Sequence, residues 1–241
     1  MNDLPFKMLI ETEIEQYRAD TFWTKEPETI EWIKSFKDGD IFYDVGANVG
    51  VYSLYVASLY RESRIFAFEP FLPNYKRLTD NIDANDFENI QAFAFAISDM
   101  DGNDLFFCDR SEIGSSGGQI TRPIDDHNKP FEPRMQFRVL TFTIDKIVEF
   151  IKTCPNHIKI DVDGQEERVL CGMLETIRNP DLRSILVELN QKTNLWTELE
   201  RYLVLNGFTT NNRFNAMADH SRIRRQREGI TAENVIFTRN R

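Results

Sequence analysis

Cysteine is scarce, with three residues in 241, Cys108, Cys154 and Cys171. An odd number at uneven spacing builds neither a disulfide framework nor a zinc site, so a reducing, cytoplasmic setting is the default expectation. No apolar run approaches the roughly 18 residues needed to span a bilayer, and the N-terminus lacks the basic-then-apolar order of a signal peptide. An integral membrane segment is therefore not expected, although action on a lipid-linked substrate at a membrane face stays open. Positive charge is also short: 29 Lys and Arg face 39 Asp and Glu, a formal net charge of −10. Phosphate binding depends on clustered Lys and Arg, which argues against a nucleic-acid partner. The exception is residues 222–227, Arg-Ile-Arg-Arg-Gln-Arg. This run is either a solvated loop or a clamp for an anionic substrate such as a phosphorylated or acidic sugar.

What the chain does have is apolar material in a regular order. Nineteen Phe supply enough for a core and exclude disorder for the body of the chain. Residues 6–36 read as helical with a break at Glu26-Pro27, since Pro suits the start of a second helix. Trp23, Ile30, Trp32, Ile33 and Phe36 recur near helical spacing. That pattern fits a helical segment, 1–37, packed on a main domain, 38–241; a lid over a site is the alternative. Short β-rich runs follow at 41–45, 64–68, 90–97, 157–162 and 184–188, alternating with helices that include 165–178. A helix over Trp196–Asn206 stops at Gly207, and strands near 208–215 and 234–238 close the chain. Such alternation is the signature of βαβ units and a parallel sheet. Residues 100–140 interrupt it, with strands at Leu105–Phe107 and Phe137–Val139 around a stretch containing Gly114-Ser115-Ser116-Gly117-Gly118. Long loops of this kind are commonly functional or mobile.

Open parallel sheets bind ligands beyond the carboxyl ends of their strands. The polar residues there are Asp44, Gly46, Asn48, Gly50, Glu69, Ser98, Asp99, Asp161, Asp163, Glu188 and Asn190. In Asp44-Val45-Gly46-Ala47-Asn48-Val49-Gly50 the glycines permit a tight turn and close approach of a ligand. The spacing is not the dinucleotide pattern Gly-x-Gly-x-x-Gly, and Asp44 beside the turn would repel a pyrophosphate. S-adenosylmethionine carries no phosphate and brings a sulfonium and an ammonium, so the charge favours it over NAD. Glu69 lies about twenty residues beyond the turn, where an acidic residue takes both ribose hydroxyls; a carboxylate accepts two hydrogen bonds at once. Pro70 and Phe71 would offer a flat apolar surface to adenine. The expected donor-binding set is Asp44, Gly46, Ala47, Asn48, Gly50, Glu69, Pro70, Ser98 and Asp161.

These residues together resemble the FkbM family of methyltransferases. The resemblance runs through Phe42–Gly50, Ala67-Phe68-Glu69-Pro70, Ala96-Ile97-Ser98-Asp99 with Gly102, and Thr143-Ile144-Asp145. Its most specific block is Ile158-Lys159-Ile160-Asp161-Val162-Asp163-Gly164-Gln165-Glu166, followed by Val169-Leu170 and Gly172. It spans roughly residues 40–190, with Asp163 where the family usually has Glu. The resemblance implies a class I, Rossmann-like α/β fold with a mostly parallel seven-stranded sheet, and methylation of a hydroxyl on a sugar, glycan or natural product. Residues 1–36 and the C-terminal third are less family-like; acceptor choice is expected there and in the 110–135 loop.

Methyl transfer mainly demands alignment of the acceptor and exclusion of water. A hydroxyl acceptor also needs its proton removed or its oxygen polarised. Asp161 and Glu188 are the candidate catalytic residues, as base or acceptor-orienting groups; the plain alternative is a structural network with Lys159, whose charge would make them poorer bases. Asp161, Asp163 and Glu188 could also hold magnesium, although no metal site is assigned. His157 falls at the far end of its strand, and His127 and His220 fall in loops. The expected acceptor is a hydroxyl compound, an anionic saccharide or lipid-linked glycan among the choices. A non-catalytic S-adenosylmethionine-binding module and an NAD-dependent oxidoreductase are the competing readings.

Overall fold

The computed structural model describes residues 3–124, 129–189, 193–215 and 233–239. The basic run at 222–227, His127, His220 and Asn190 lie outside the described residues. In chain order the elements are α1 (Glu13–Lys25), α2 (Pro27–Lys34), β1 (Ile41–Val45), α3 (Val51–Leu59), β2 (Arg64–Phe68), α4 (Leu72–Ala84), β3 (Ile90–Phe93) and β4 (Ala96–Ile97). Then come β5 (Gly102–Cys108), β6 (Gln119–Ile120), β7 (Met135–Phe142), α5 (Ile144–Ile151), β8 (His157–Ile160), α6 (Glu166–Cys171), α7 (Leu174–Arg178), β9 (Ser184–Leu189), α8 (Asn194–Leu205), β10 (Phe208–Asn215) and β11 (Glu233–Arg239).

Seven strands form one sheet in the order β10-β11-β9-β8-β1-β2-β3. Pairing is parallel from β9 to β3, and β11 runs antiparallel to both of its neighbours. The fold is the expected α/β architecture with helices on both faces. Strand alternation sorts β1 cleanly: Tyr43 and Val45 enter the core under α5–α8, and Phe42 enters the core under α1–α4. Successive strands leave β1 in opposite directions, to β2 on one side and β8 on the other, so a crevice opens at their carboxyl ends.

Several local expectations need correction. Residues 6–12 are not helical; α1 starts only after Thr12, which forms a capping box with Glu15. The run 90–97 is two strands in different sheets. The helix expected at 165–178 breaks at Gly172-Met173 into α6 and α7; the chain passes so close to Ser98 at the break that a Cβ on Gly172 would stand 2.1 Å from its carbonyl oxygen. The segment 100–140 builds a second sheet, β4-β7-β5-β6, which flanks the crevice.

Helices α1 and α2 pack on the main sheet layer. Ile30, Trp32, Ile33 and Phe36 are buried, and Phe22 sets its ring edge-on to Tyr55 of α3 with centroids 5.2 Å apart. The Trp32 indole donates to Ser184 Oγ at 2.8 Å. Ser184 also meets His157 Nδ1 at 2.7 Å, while His157 Nε2 lies 3.0 Å from Asp40 and the ring stacks on Phe36 at 3.8 Å. Burial holds the His157 pKa below its ordinary value, against the opposing pull of Asp40. This buried cluster closes the sheet at the end opposite the crevice.

Candidate functional site

A cavity occupies the crevice, bounded by the ends of β1, β2, β8 and β9 and by the 115–120 segment. The turn after β1 sets its floor. Gly46 and Ala47 both donate to the Phe68 carbonyl at 3.0 Å, locking the turn to the end of β2. Gly46 has φ +82°, and a Cβ there would stand 1.9 Å from the Asp161 carbonyl oxygen; only glycine fits where β1 and β8 part. Gly50, with φ +89°, begins α3, and a Cβ there would strike Leu78 at 2.3 Å.

Glu69 stands at the end of β2, 6% exposed. One carboxylate oxygen accepts from the Asn48 amide and the other from the Phe71 amide, each at 2.8 Å. Burial pushes this carboxyl up to about 7. Phe71 packs near-parallel to Phe106 with centroids 6.1 Å apart, and both rings line the cavity beside Pro70, Ala96 and Ile97. One end of the cavity is thus a buried carboxylate next to an apolar slot.

The other end is charged. Lys159 is fully buried and donates to Asp161 Oδ2 at 2.6 Å, with its ammonium 4.8 Å from the Tyr52 ring centroid. Burial alone would raise the Asp161 pKa, but Lys159, a hydrogen bond with Glu188, and Lys25 hold it well below the carboxylate range. The Asp161 charge, together with burial, drives Glu188 well above its ordinary value. Of these two neighbouring carboxyls, Glu188 is the one that favours the neutral form and Asp161 the one that favours the charged form. Lys25 pairs with Glu26 at 2.9 Å, whose charge raises the lysine pKa further.

The outer wall comes from distant parts of the chain. The Ser115 carbonyl accepts from the side-chain amides of Asn48 at 2.8 Å and Asn74 at 3.0 Å. Asn74 also accepts from the Gly114 amide at 2.8 Å, and Asp163 accepts from the Gly117 amide at 2.7 Å. Helix α1 is tied to the same loop: Arg18 Nε donates to the Gly114 carbonyl and Thr12 to the Ile113 carbonyl, both at 2.9 Å.

Of the residues singled out in the sequence, Gly46, Ala47, Asn48, Glu69, Pro70, Phe71, Asp161, Asp163 and Glu188 line the cavity. Asp44, Gly50 and Ser98 do not. Asp44 shares the α3-facing side of β1 with Phe42 and accepts from Ser53 at 2.6 Å, leaving its other oxygen buried without a partner. Ser98 is buried against the Gly172 break. Strand β8 ends at Ile160, short of the expected 157–162, so Asp161 and Asp163 lie beyond it; Asp163 takes φ +53° and its carboxylate turns to the Gly117 amide. Among the described residues no group of three His, Cys, Asp or Glu is disposed to hold a metal ion, and no helix is long and apolar enough to cross a membrane. Arg18, Lys25, Asn74 and Phe106 were not foreseen; the Gly- and Ser-rich stretch at 114–118 was the only signal for this wall.

Residues 44–213 match the model of the methyltransferase FkbM domain. The hexuronic acid methyltransferase AglP of Haloferax volcanii is 26% identical over 159 residues, 66% of this chain and 59% of its own length. Methyltransferase 1 of Beauveria bassiana is 25% identical over 152 residues, 58% of this chain and 61% of its own. The chain thus matches less than two thirds of the length of these relatives. Aeropyrum pernix fibrillarin, solved with S-adenosyl-L-methionine bound, shares the fold at 9% identity, covering 90% of this chain and 75% of that one with a TM-score of 0.51.

Proposed function

Because this chain belongs to the FkbM methyltransferase family, we propose that the cavity binds S-adenosylmethionine and that the protein transfers its methyl group to an oxygen of a saccharide or other small hydroxyl compound. The observation that carries this reading is Glu69. It is buried, fixed by two backbone amides, and set beside an apolar slot. That is the arrangement a ribose and its base require. Gly46 lets the turn close against the Asp161 carbonyl, which brings the ends of β1 and β8 together at the cavity.

When bound, the donor supplies a methyl carbon already activated by its sulfonium. The chain must then orient the acceptor and exclude water. Asp161 suits the orienting role: Lys159 and the Glu188 proton keep it ionised and fixed, so it accepts a hydrogen bond from a hydroxyl. Held so far below the usual range it is a weak base, adequate only for a proton made strongly acidic as the new C–O bond forms. Glu188 serves as its neutral partner. The relationship to a hexuronic acid methyltransferase favours an anionic saccharide, free or lipid-linked, as acceptor.

The test is an assay with labelled methyl donor against neutral saccharides, uronic acids, lipid-linked glycans and simple hydroxyl compounds. Label on an acidic saccharide with release of S-adenosylhomocysteine is the expected result. Donor binding without transfer to any member would leave a binding module, and preferential binding of NADH would remove the methyltransferase reading.

A further inference from the structure

Arg18 sits on α1, outside residues 44–213 that match the family, yet it lines the cavity with Asn48, Glu69 and Asp161. Its Nε is committed to the Gly114 carbonyl at 2.9 Å, which fixes the guanidinium against the outer wall. Its two terminal amino groups have no hydrogen-bond partner among the described residues. Arg18 lines the same cavity as Glu69 at the ribose position and Tyr52, Lys25 and Asp161 at the charged end, so it borders the space that joins the two.

A planar guanidinium with a free fork is suited to a carboxylate, which it can bind through two parallel hydrogen bonds. On the donor-site reading above, the substituent running from the ribose toward the charged end is the amino-acid chain of the methyl donor, and its end carries a carboxylate. We propose that Arg18 binds that carboxylate, which makes helix α1 part of the donor site. Lys25 is less suited, because its ammonium is already paired with Glu26 at 2.9 Å. Asp161, the ionised carboxylate of the cavity, is then left to face the donor's ammonium or the acceptor.

The experiment is calorimetry on the full chain with two nucleosides, S-adenosylhomocysteine and 5′-methylthioadenosine. They share adenine, ribose and thioether, and only the first has the carboxylate and ammonium. Arg18→Gln should weaken S-adenosylhomocysteine roughly 10- to 100-fold, the range of a charge-assisted hydrogen-bonded pair, and leave 5′-methylthioadenosine unchanged. Arg18→Lys, which keeps the charge without the fork, should fall between. Equal loss for both nucleosides would show a collapsed wall rather than a lost contact and would overturn the assignment. Unchanged S-adenosylhomocysteine binding would also overturn it, as would a defect confined to the KM of an anionic acceptor. If Arg18→Gln does not fold, Arg18→Lys decides: a selective loss for S-adenosylhomocysteine supports the role and no difference between the nucleosides refutes it. If the unaltered protein binds neither nucleoside, it is the donor-site reading that fails.

Discussion

Donor affinity should depend on pH through Glu69. Burial pushes this carboxyl up to about 7 in the empty cavity, against an ordinary value of 4.5. That shift corresponds to roughly 3 kcal/mol of preference for the neutral form. The sign follows from linkage: between about 4.5 and 7 the folded protein keeps a proton that the unfolded chain has released, so this group's contribution to stability falls as pH rises through the window. A bound ribose reverses the preference, because two hydroxyl donors favour the charged, acceptor-only form. If only the ionised carboxylate binds well, affinity is on its plateau above pH 7, about 10-fold weaker at pH 6 and about 100-fold weaker at pH 5.

The probe should be 5′-methylthioadenosine, because it keeps the ribose and lacks the amino and carboxyl groups that would add their own titrations. Calorimetry from pH 5 to 8, in buffers of different ionisation enthalpy, reads both the affinity and the proton released on binding. Asp163 and Arg18 also act on Glu69, in opposite directions. Glu166, pushed up to about 8 by burial, titrates nearby but is held by the amides of Val162 and Gly164. Glu69→Gln is therefore the control: it should bind weakly and without pH dependence. A flat affinity from pH 5 to 8 in the unaltered protein, or a slope that survives in Glu69→Gln, would refute the ribose assignment.

Two further outcomes follow from the backbone and the buried histidine. Gly46→Ala should cost roughly 3 kcal/mol or more, since its Cβ would stand 1.9 Å from a backbone oxygen, whereas Gly39→Ala, at φ +88° with nothing within 4 Å, should cost only about 1–2 kcal/mol of backbone strain; equal losses in denaturant melts would contradict the steric account. His157→Gln should destabilise most above pH 6.5 and progressively less below it, because a histidine whose pKa is lowered on folding contributes stability that is lost as pH falls; a gap that widens in acid would mean the imidazole is charged in the fold.

The donor half of the site was legible because its geometry is local. The Gly46 turn, the strand ending at Glu69 and the Lys159–Asp161 pair each lie within a few residues of the signal that marks them. Asp44 is less simple: its place two residues after Phe42 puts it on the α3 face of β1 by alternation, where it accepts from Ser53 and does not line the cavity. The outer wall was not legible, since it is held by contacts between residues 67, 96 and 101 positions apart: Asn48 with Ser115, Arg18 with Gly114, and Thr12 with Ile113. An arginine on a largely polar helix such as α1 carries no mark that separates it from a solvated one. The same difference bears on acceptor choice. The floor at Gly46 tolerates no side chain and the Glu69 carboxylate is pinned by two amides, so that end of the cavity has little room to vary. The wall is held by side-chain contacts from Thr12, Arg18, Asn48, Asn74 and Asp163, and changes there reshape the 113–117 segment while leaving the two backbone amides on Glu69 in place.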